Sequence, residues 1–353
     1  MNRKYISILI IALLSVSAAF VSCDDWVEVE PKFTEKTDGS IFDEDYYAQL
    51  REYKKSDHPV TFGWFGNWTA KGASLEKSMA GLPDSVDFIS IWGNWRNLSE
   101  EQKADLKFVQ EVKGTKALMC FIVQDLGSGI KDGEGRFEFW GWDPNDRDSQ
   151  VEAIKKYANA ICDTIDYYGY DGFDIDYEPN YGHRGDLAGN LANMTVFIEE
   201  LGKRIGPKSG TGRMLVVDGE PQSIPSETGV YFDYFIVQAY NSFGDSDLDN
   251  RLNNTIRNFT GVLTPEQVAK MYIVTENFED HALKGGVSYT DRNGNKMMSL
   301  EGMARWNPII NGKPVKKGGI GTYHMEYEFV VSGYDGTYPF LRNATRLMNP
   351  PVK

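Results

Sequence analysis

Eight short β-rich runs, separated by stretches with helical spacing, constrain the fold of this chain more than any other feature of it. The runs are Val60–Trp64, Val86–Ile91, Ala117–Val123, Gly172–Tyr177, Met214–Val217, Tyr234–Ala239, Tyr272–Thr275 and Ile320–Tyr323. Between the second and third, Ser99–Lys113 opens with a Ser-Glu-Glu-Gln start resembling a capping box, and it lines up Leu106, Val109 and Val112 on one face. Gln150–Tyr167 spaces Ile154, Tyr157, Ile161 and Ile165 at three and four residues, and Leu191–Ile205 follows the same logic. Eight strands interleaved with helices over ~290 residues predict an α/β fold, a single (β/α)8 barrel of the TIM type. A doubly wound open sheet is the alternative, but no glycine-rich phosphate loop follows the first run.

The N-terminal residues read as a targeting segment. Arg3 and Lys4 precede an apolar stretch from Tyr5 to Val21, broken by Ser7, Ser15 and Ser17, and Ser22-Cys23-Asp24-Asp25 follows. At 17 residues the stretch falls short of a membrane span, for which about 18 or more apolar residues are expected. The segment resembles a bacterial lipoprotein signal, which implies cleavage before Cys23 and lipid on its thiol. The expected protein is therefore exported and lipid-anchored, at the outer membrane or cell surface of a Gram-negative bacterium. Residues 1–22 are the signal, 23–56 an acidic tether and lead-in ending in a first helix or edge segment, and 57–353 the barrel domain.

Charge narrows the partners. The full chain has 51 acidic and 37 basic side chains, and loss of Arg3 and Lys4 with the signal leaves 51 against 35, a net charge of −16. Nucleic acid and anionic lipid both need clustered Lys and Arg, so neither suits this chain, and the membrane is reached only through the lipid. Cys120 and Cys162 then remain, in segments that read as a buried strand and an amphipathic helix, and two free buried thiols are expected.

The chemistry concentrates in Asp171-Gly-Phe-Asp174-Ile-Asp176-Tyr-Glu178-Pro179. Alternate side chains of a strand share a face, so Asp174, Asp176 and Glu178 point one way while Phe173, Ile175 and Tyr177 point the other. In a barrel the apolar set meets the helices and the carboxyls line the centre. Three close carboxyls in a low dielectric cannot all ionise comfortably, so at least one must hold its proton toward neutral pH, as a general acid requires. Pro179 has no amide donor and ends the strand, which leaves Glu178 at the C-terminal mouth where barrel active sites lie.

This stretch meets every fixed position of Asp-Gly-x-Asp-x-Asp-x-Glu, and the chain thereby resembles glycoside hydrolase family 18 from roughly Val60 to Phe340. The resemblance implies that Glu178 protonates the leaving glycosidic oxygen. It implies that Asp176 orients the substrate's own 2-acetamido group for attack on the anomeric carbon, with Asp174 supporting Asp176 through a shared proton. The nucleophile is then an atom of the substrate, a departure from the two-carboxylate scheme that needs neither metal nor cofactor. His58, His183, His281 and His324 are scattered without ligand spacing, in keeping with no metal site.

Later runs extend the resemblance. Gln238-Ala-Tyr240-Asn241 ends the sixth run, where the family has a Tyr whose hydroxyl would bond the acetamido carbonyl; Gln238 and Asn241 would hold polar edges of the sugar. Glu276 and Asn277 end the seventh run and would bind hydroxyls. Two departures matter. Chitinases of the family usually carry a Trp at the end of the eighth strand, where this chain has Tyr323, followed by Tyr327. The Gln-x-Tyr-Asn ending differs from the Met-x-Tyr-Asp of chitinases and is similar to that of endo-β-N-acetylglucosaminidases. Trp64, Trp68, Trp92, Trp95, Trp140 and Trp142 lie near strand ends and in the loop after the third run, where they would stack on sugar rings, Trp64 and Trp92 foremost. The expected enzyme is a monomer that cuts the GlcNAc-β1,4-GlcNAc bond of N-linked or other GlcNAc-containing glycans. A chitinase and a non-catalytic glycan-binding barrel are the alternatives.

Overall fold

The computed structural model describes residues 44–350, so the expected signal, Cys23 and most of the acidic tether lie outside the described residues. The eight barrel strands are β1 (Val60–Phe65), β2 (Phe88–Trp92), β3 (Lys116–Ile122), β4 (Gly172–Tyr177), β5 (Met214–Gly219), β6 (Tyr234–Gln238), β7 (Tyr272–Asn277) and β8 (Gly319–Tyr323). They close in the order β1-β8-β7-β6-β5-β4-β3-β2, and every pairing is parallel. Closure brings Val60 opposite Gly319 and excludes the open sheet.

The helices start where their polar residues allow. Ser99 accepts from the Gln102 amide while the Gln102 side chain answers the Ser99 amide, so the capping box opens α2 (Glu100–Phe108). The helical path continues in a wider turn over Val109–Lys113 until Gly114, at φ +69, ends it. Asp146 caps α3 (Arg147–Tyr168), whose buried face carries Ile154, Tyr157, Ile161 and Ile165 as the spacing predicts. Helix α4 (Leu191–Leu201) ends at Leu201, capped by Gly202, four residues before the predicted end. The lead-in helix, α1 (Glu44–Lys54), is built into the barrel domain. Arg51 donates to the Val112 carbonyl at 2.8 Å and Lys54 to the Val86 carbonyl at 2.7 Å, so the domain begins before residue 57.

Alternation along the strands makes two cores. Phe173, Ile175 and Tyr177 join the large cluster between barrel and helices, whereas Phe62, Trp64, Phe88, Leu118, Cys120, Val216, Ile236 and Ile273 fill the interior. Trp68, Trp95 and Trp140 belong to the outer cluster, with Trp68 donating to Asp105 and Trp140 to the Lys131 carbonyl. They are therefore packing residues and not sugar platforms, which corrects the expectation for those three. Cys120 and Cys162 are free, buried thiols. Among the described residues no helix is long and apolar enough to cross a membrane.

Candidate active site

The acids of the motif divide by height along β4. Asp171 lies at the base, where its carboxylate takes the Ala117 amide at 2.8 Å and the Gln110 side chain at 2.7 Å, so it ties β4 to β3. Gly172 follows at φ +156, and a Cβ there would lie 2.1 Å from the Met214 carbonyl oxygen, which leaves glycine as the residue that fits. Asp174 and Asp176 then point into the barrel and are buried, while Glu178, just beyond the strand, keeps 17% of its side chain exposed at the mouth.

Asp174 Oδ2 accepts from Ser90 Oγ at 2.6 Å, and burial lifts its carboxyl to about 6 against the opposing hydrogen bonds. Asp176 is pushed well above the carboxylate range, first by burial and then by the charges of Glu178 and Asp174. A fourth carboxyl joins them. Asp218 lies opposite Asp176 on β5, is fully buried, and is raised by burial and by Asp176 and Asp174. The sequence does not single it out, because the apolar run that predicts β5 closes at Val217. The available signal was an acid closing an apolar strand on the same face as Val216.

Gln238 binds two of these acids at once. Its Nε2 donates to Glu178 Oε1 at 2.7 Å and to Asp218 Oδ1 at 3.1 Å, so its amide hydrogens are directed at carboxyls and not toward a sugar as expected. On the other side of Glu178, His183 Nε2 approaches Oε2 at 3.9 Å, and its Nδ1 meets Gln124 Oε1 at 3.3 Å. Tyr240 faces the same acids. Burial first, then Asp218, Tyr323, Asp176 and Glu178, push its hydroxyl well above the usual range, so it remains a donor.

Aromatics form one wall of this space. The Tyr323 ring lies 6.0 Å from Tyr240 and 5.9 Å from Trp92. Tyr327 instead stacks on His324 at 4.7 Å, so Tyr323 is the aromatic at the acid end. Trp64 lies beneath, buried against Tyr323 and Phe62 and in contact with Asp174, with no face left for a sugar. That corrects its expected stacking role.

Glu276 is corrected as well. It is fully buried, takes the Asn241 and Asn277 amides at 3.0 and 2.8 Å on Oε1, and accepts from Ser299 on Oε2. It braces the β6 loop and keeps no oxygen for a substrate hydroxyl. Asn277 caps the short helix Phe278–His281 through the Glu279 amide. Asn241 is exposed at φ +58, with its Oδ1 on His281 Nε2 at 2.8 Å, so it can still meet a ligand at the rim. Among the described residues, Cys120, Asp174 and Asp218 are the group close enough to bind a cation. Burial pushes the thiol and both carboxyls toward their protonated forms, a set that suits a proton better than a metal.

Known proteins were compared with this architecture. A family model described as glycoside hydrolase family 18, BT1044-like, matches residues 27–347. The structure is similar to that of a selenomethionine BT1044 variant, with a TM-score of 0.77 and 40% identity over 91% of this chain and 98% of the other. Endo-beta-N-acetylglucosaminidase F2 from Elizabethkingia meningoseptica is 25% identical over 324 residues, covering 86% of this chain and 85% of that protein. An endo-beta-N-acetylglucosaminidase from Cordyceps militaris, in complex with fucosyl-N-acetylglucosamine-Asn, shares the fold at a TM-score of 0.61 and 22% identity, over 89% of this chain and 99% of that one. The family match spans the barrel, and the full Asp-Gly-x-Asp-x-Asp-x-Glu stretch runs up β4 to its mouth: the chain belongs to glycoside hydrolase family 18.

Proposed function

We propose that this protein is an endo-β-N-acetylglucosaminidase that hydrolyses the GlcNAc-β1,4-GlcNAc bond of N-glycan cores. The observation that carries the chemistry is Glu178 at the barrel mouth, with Oε1 held by Gln238 at 2.7 Å and Oε2 left to carry a proton. In the first step the Oε2 proton passes to the departing glycosidic oxygen as the substrate's acetamido oxygen attacks the anomeric carbon. Asp176 meets the positive charge of the resulting oxazolinium ring, and the Tyr240 hydroxyl, kept protonated by burial, orients the acetamido oxygen. Glu178 then takes a proton from water, which attacks the same carbon and reopens the ring. Two inversions give net retention.

The 25% identity to endo-beta-N-acetylglucosaminidase F2 over most of the chain and the Gln238-x-Tyr240 ending support N-glycans over chitin. The test is separate incubation of the soluble domain with a high-mannose glycoprotein, a complex-type glycoprotein and a chitin oligomer. Release of a glycan that leaves one GlcNAc on asparagine is expected. Cleavage of the chitin oligomer alone would make the protein a chitinase, and glycan binding without release would make it a lectin-like barrel. We also place the protein outside the cell, tethered by lipid on Cys23, on the strength of the Ser22-Cys23 junction after its apolar stretch. Every acid of the site comes from one chain, so a monomer is sufficient.

A further inference from the structure

Asp218 belongs to none of the roles given to the motif acids, yet its carboxyl touches the supports of two of them. Its Oδ1 takes one hydrogen of the Gln238 amide at 3.1 Å, and the same nitrogen reaches Glu178 Oε1 at 2.7 Å. The amide is thus held between two carboxyls, and without either one it is free to turn. An oxygen of Asp218 also lies within 4.8 Å of one of Asp174, whose Oδ2 already accepts from Ser90 and whose buried Oδ1 has no hydrogen-bond partner among the described residues. A proton on Asp218 would give that orphaned oxygen a donor, because a carboxylate has none of its own.

The surroundings favour the neutral form. Asp218 faces the Cys120 thiol from β3 at 3.9 Å, Asp174, Asp176 and Glu178 from the motif, and Gln238 and Tyr240 from β6. Among the described residues no Lys or Arg is paired with any of these four acids, and the basic group near them is His183 beside Glu178. Four ionised carboxyls at one end of a dry barrel would repel one another with nothing opposite.

We propose that Asp218 is a positioning residue that acts as a neutral carboxyl, holding Gln238 against Glu178 with one oxygen and donating a proton to Asp174 with the other. Burial and the flanking carboxylates push Asp218 well above the carboxylate range, in the same direction. The inference rests on the function proposed above. It separates three tasks: Glu178 transfers the proton, Asp176 meets the charge, and Asp218 fixes the geometry of both from a neighbouring strand.

Asparagine can reproduce both bonds, with its oxygen toward Gln238 and its NH2 toward Asp174, whereas leucine can reproduce neither. Asp218→Asn should keep kcat within about tenfold of the wild type, and Asp218→Leu should lose at least about a hundredfold in kcat with KM little changed. Infrared spectra at pH 7 should show a protonated-carboxyl component in the wild type, beside those of other buried acids such as Asp176 and Glu328, that is lost in Asp218→Asn. A loss in Asp218→Asn as deep as in Asp218→Leu would overturn the neutral role, as would a difference spectrum in which Asp218→Asn removes no protonated-carboxyl component. Wild-type kinetics in a folded Asp218→Leu would overturn positioning. If Asp218→Leu fails to fold, the asparagine variant and its spectrum still decide. A wild type that leaves every glycan uncut refutes the proposed function, and the spectrum then judges the carboxyl independently.

Discussion

Glu178 derives its place from two backbone facts: β4 ends at Tyr177, and Pro179 cannot extend a strand ladder. Its carboxyl is thereby carried just past the barrel rim, where a glycosidic oxygen can reach it, while Asp176 stays inside. Glu178→Gln is nearly isosteric and keeps an acceptor for Gln238, but it has no acidic proton to deliver. The variant should fold as the wild type does and lose activity by at least about a hundredfold, the usual scale of general-acid contributions. Steady-state release of glycan by a variant of native circular dichroism checks this, and near-wild-type turnover would remove Glu178 from the acid role. Glu276 shows the contrary case. An acid at a strand end has the right address for catalysis, yet its oxygens are filled by the Asn241 and Asn277 amides and Ser299.

The loops are held by carboxylates in the same manner. Asp105 of α2 accepts from Trp68 Nε1 at 2.8 Å, Ser78 Oγ at 2.6 Å, the Met79 amide at 2.7 Å and the Ala80 amide at 2.9 Å. One buried side chain thus organises the loop that joins β1 to β2. Asp105→Ala would leave four donors facing a cavity, and each buried unpaired group costs ~1–3 kcal/mol. Partial relaxation and entry of water reduce the sum, so a loss of about 3–5 kcal/mol is expected, read as a lower urea midpoint at unchanged slope. A midpoint within experimental scatter of the wild type would show that the loop does not depend on this carboxylate. At the opposite seam Glu326 plays a comparable part, with Oε2 on the Gly66 amide at 2.9 Å and Oε1 on His324 Nδ1 at 2.8 Å, joining the loops of β1 and β8.

For the molecule as a whole, the acidic balance and the N-terminal segment have to be considered together. If the proposed signal is removed, 51 acids against 35 bases remain, and such a chain would be repelled by anionic surfaces, so charge would not hold it at a membrane. The lipid proposed on Cys23 could. Cys23→Ser should therefore move the protein from the membrane to the soluble fraction without altering its specific activity. Fractionation that leaves the serine variant firmly membrane-bound would refute the lipid anchor.

What the sequence by itself determined was the scaffold and the motif acids. Alternation of period two along Asp171–Glu178 assigns each side chain to a face, and strand runs alternating with helical spacing lead to a closed barrel; both are local patterns that a single sequence displays. The helices at Asp245–Asn258, Pro265–Met271, Ser299–Arg305 and Pro339–Met348 were not read, because their apolar stripes are short and acquire meaning only against the strands they cover. The tertiary structure decided which polar groups became ligand-facing and which became supports. Asp218 entered the site because β5 pairs with β4 in a register that sets it opposite Asp176, and Trp64 left it because closure through β8 covered its ring. Such outcomes depend on residues distant in the chain, since hydrogen-bond partners and burial follow from strand register and barrel closure, which no local spacing specifies.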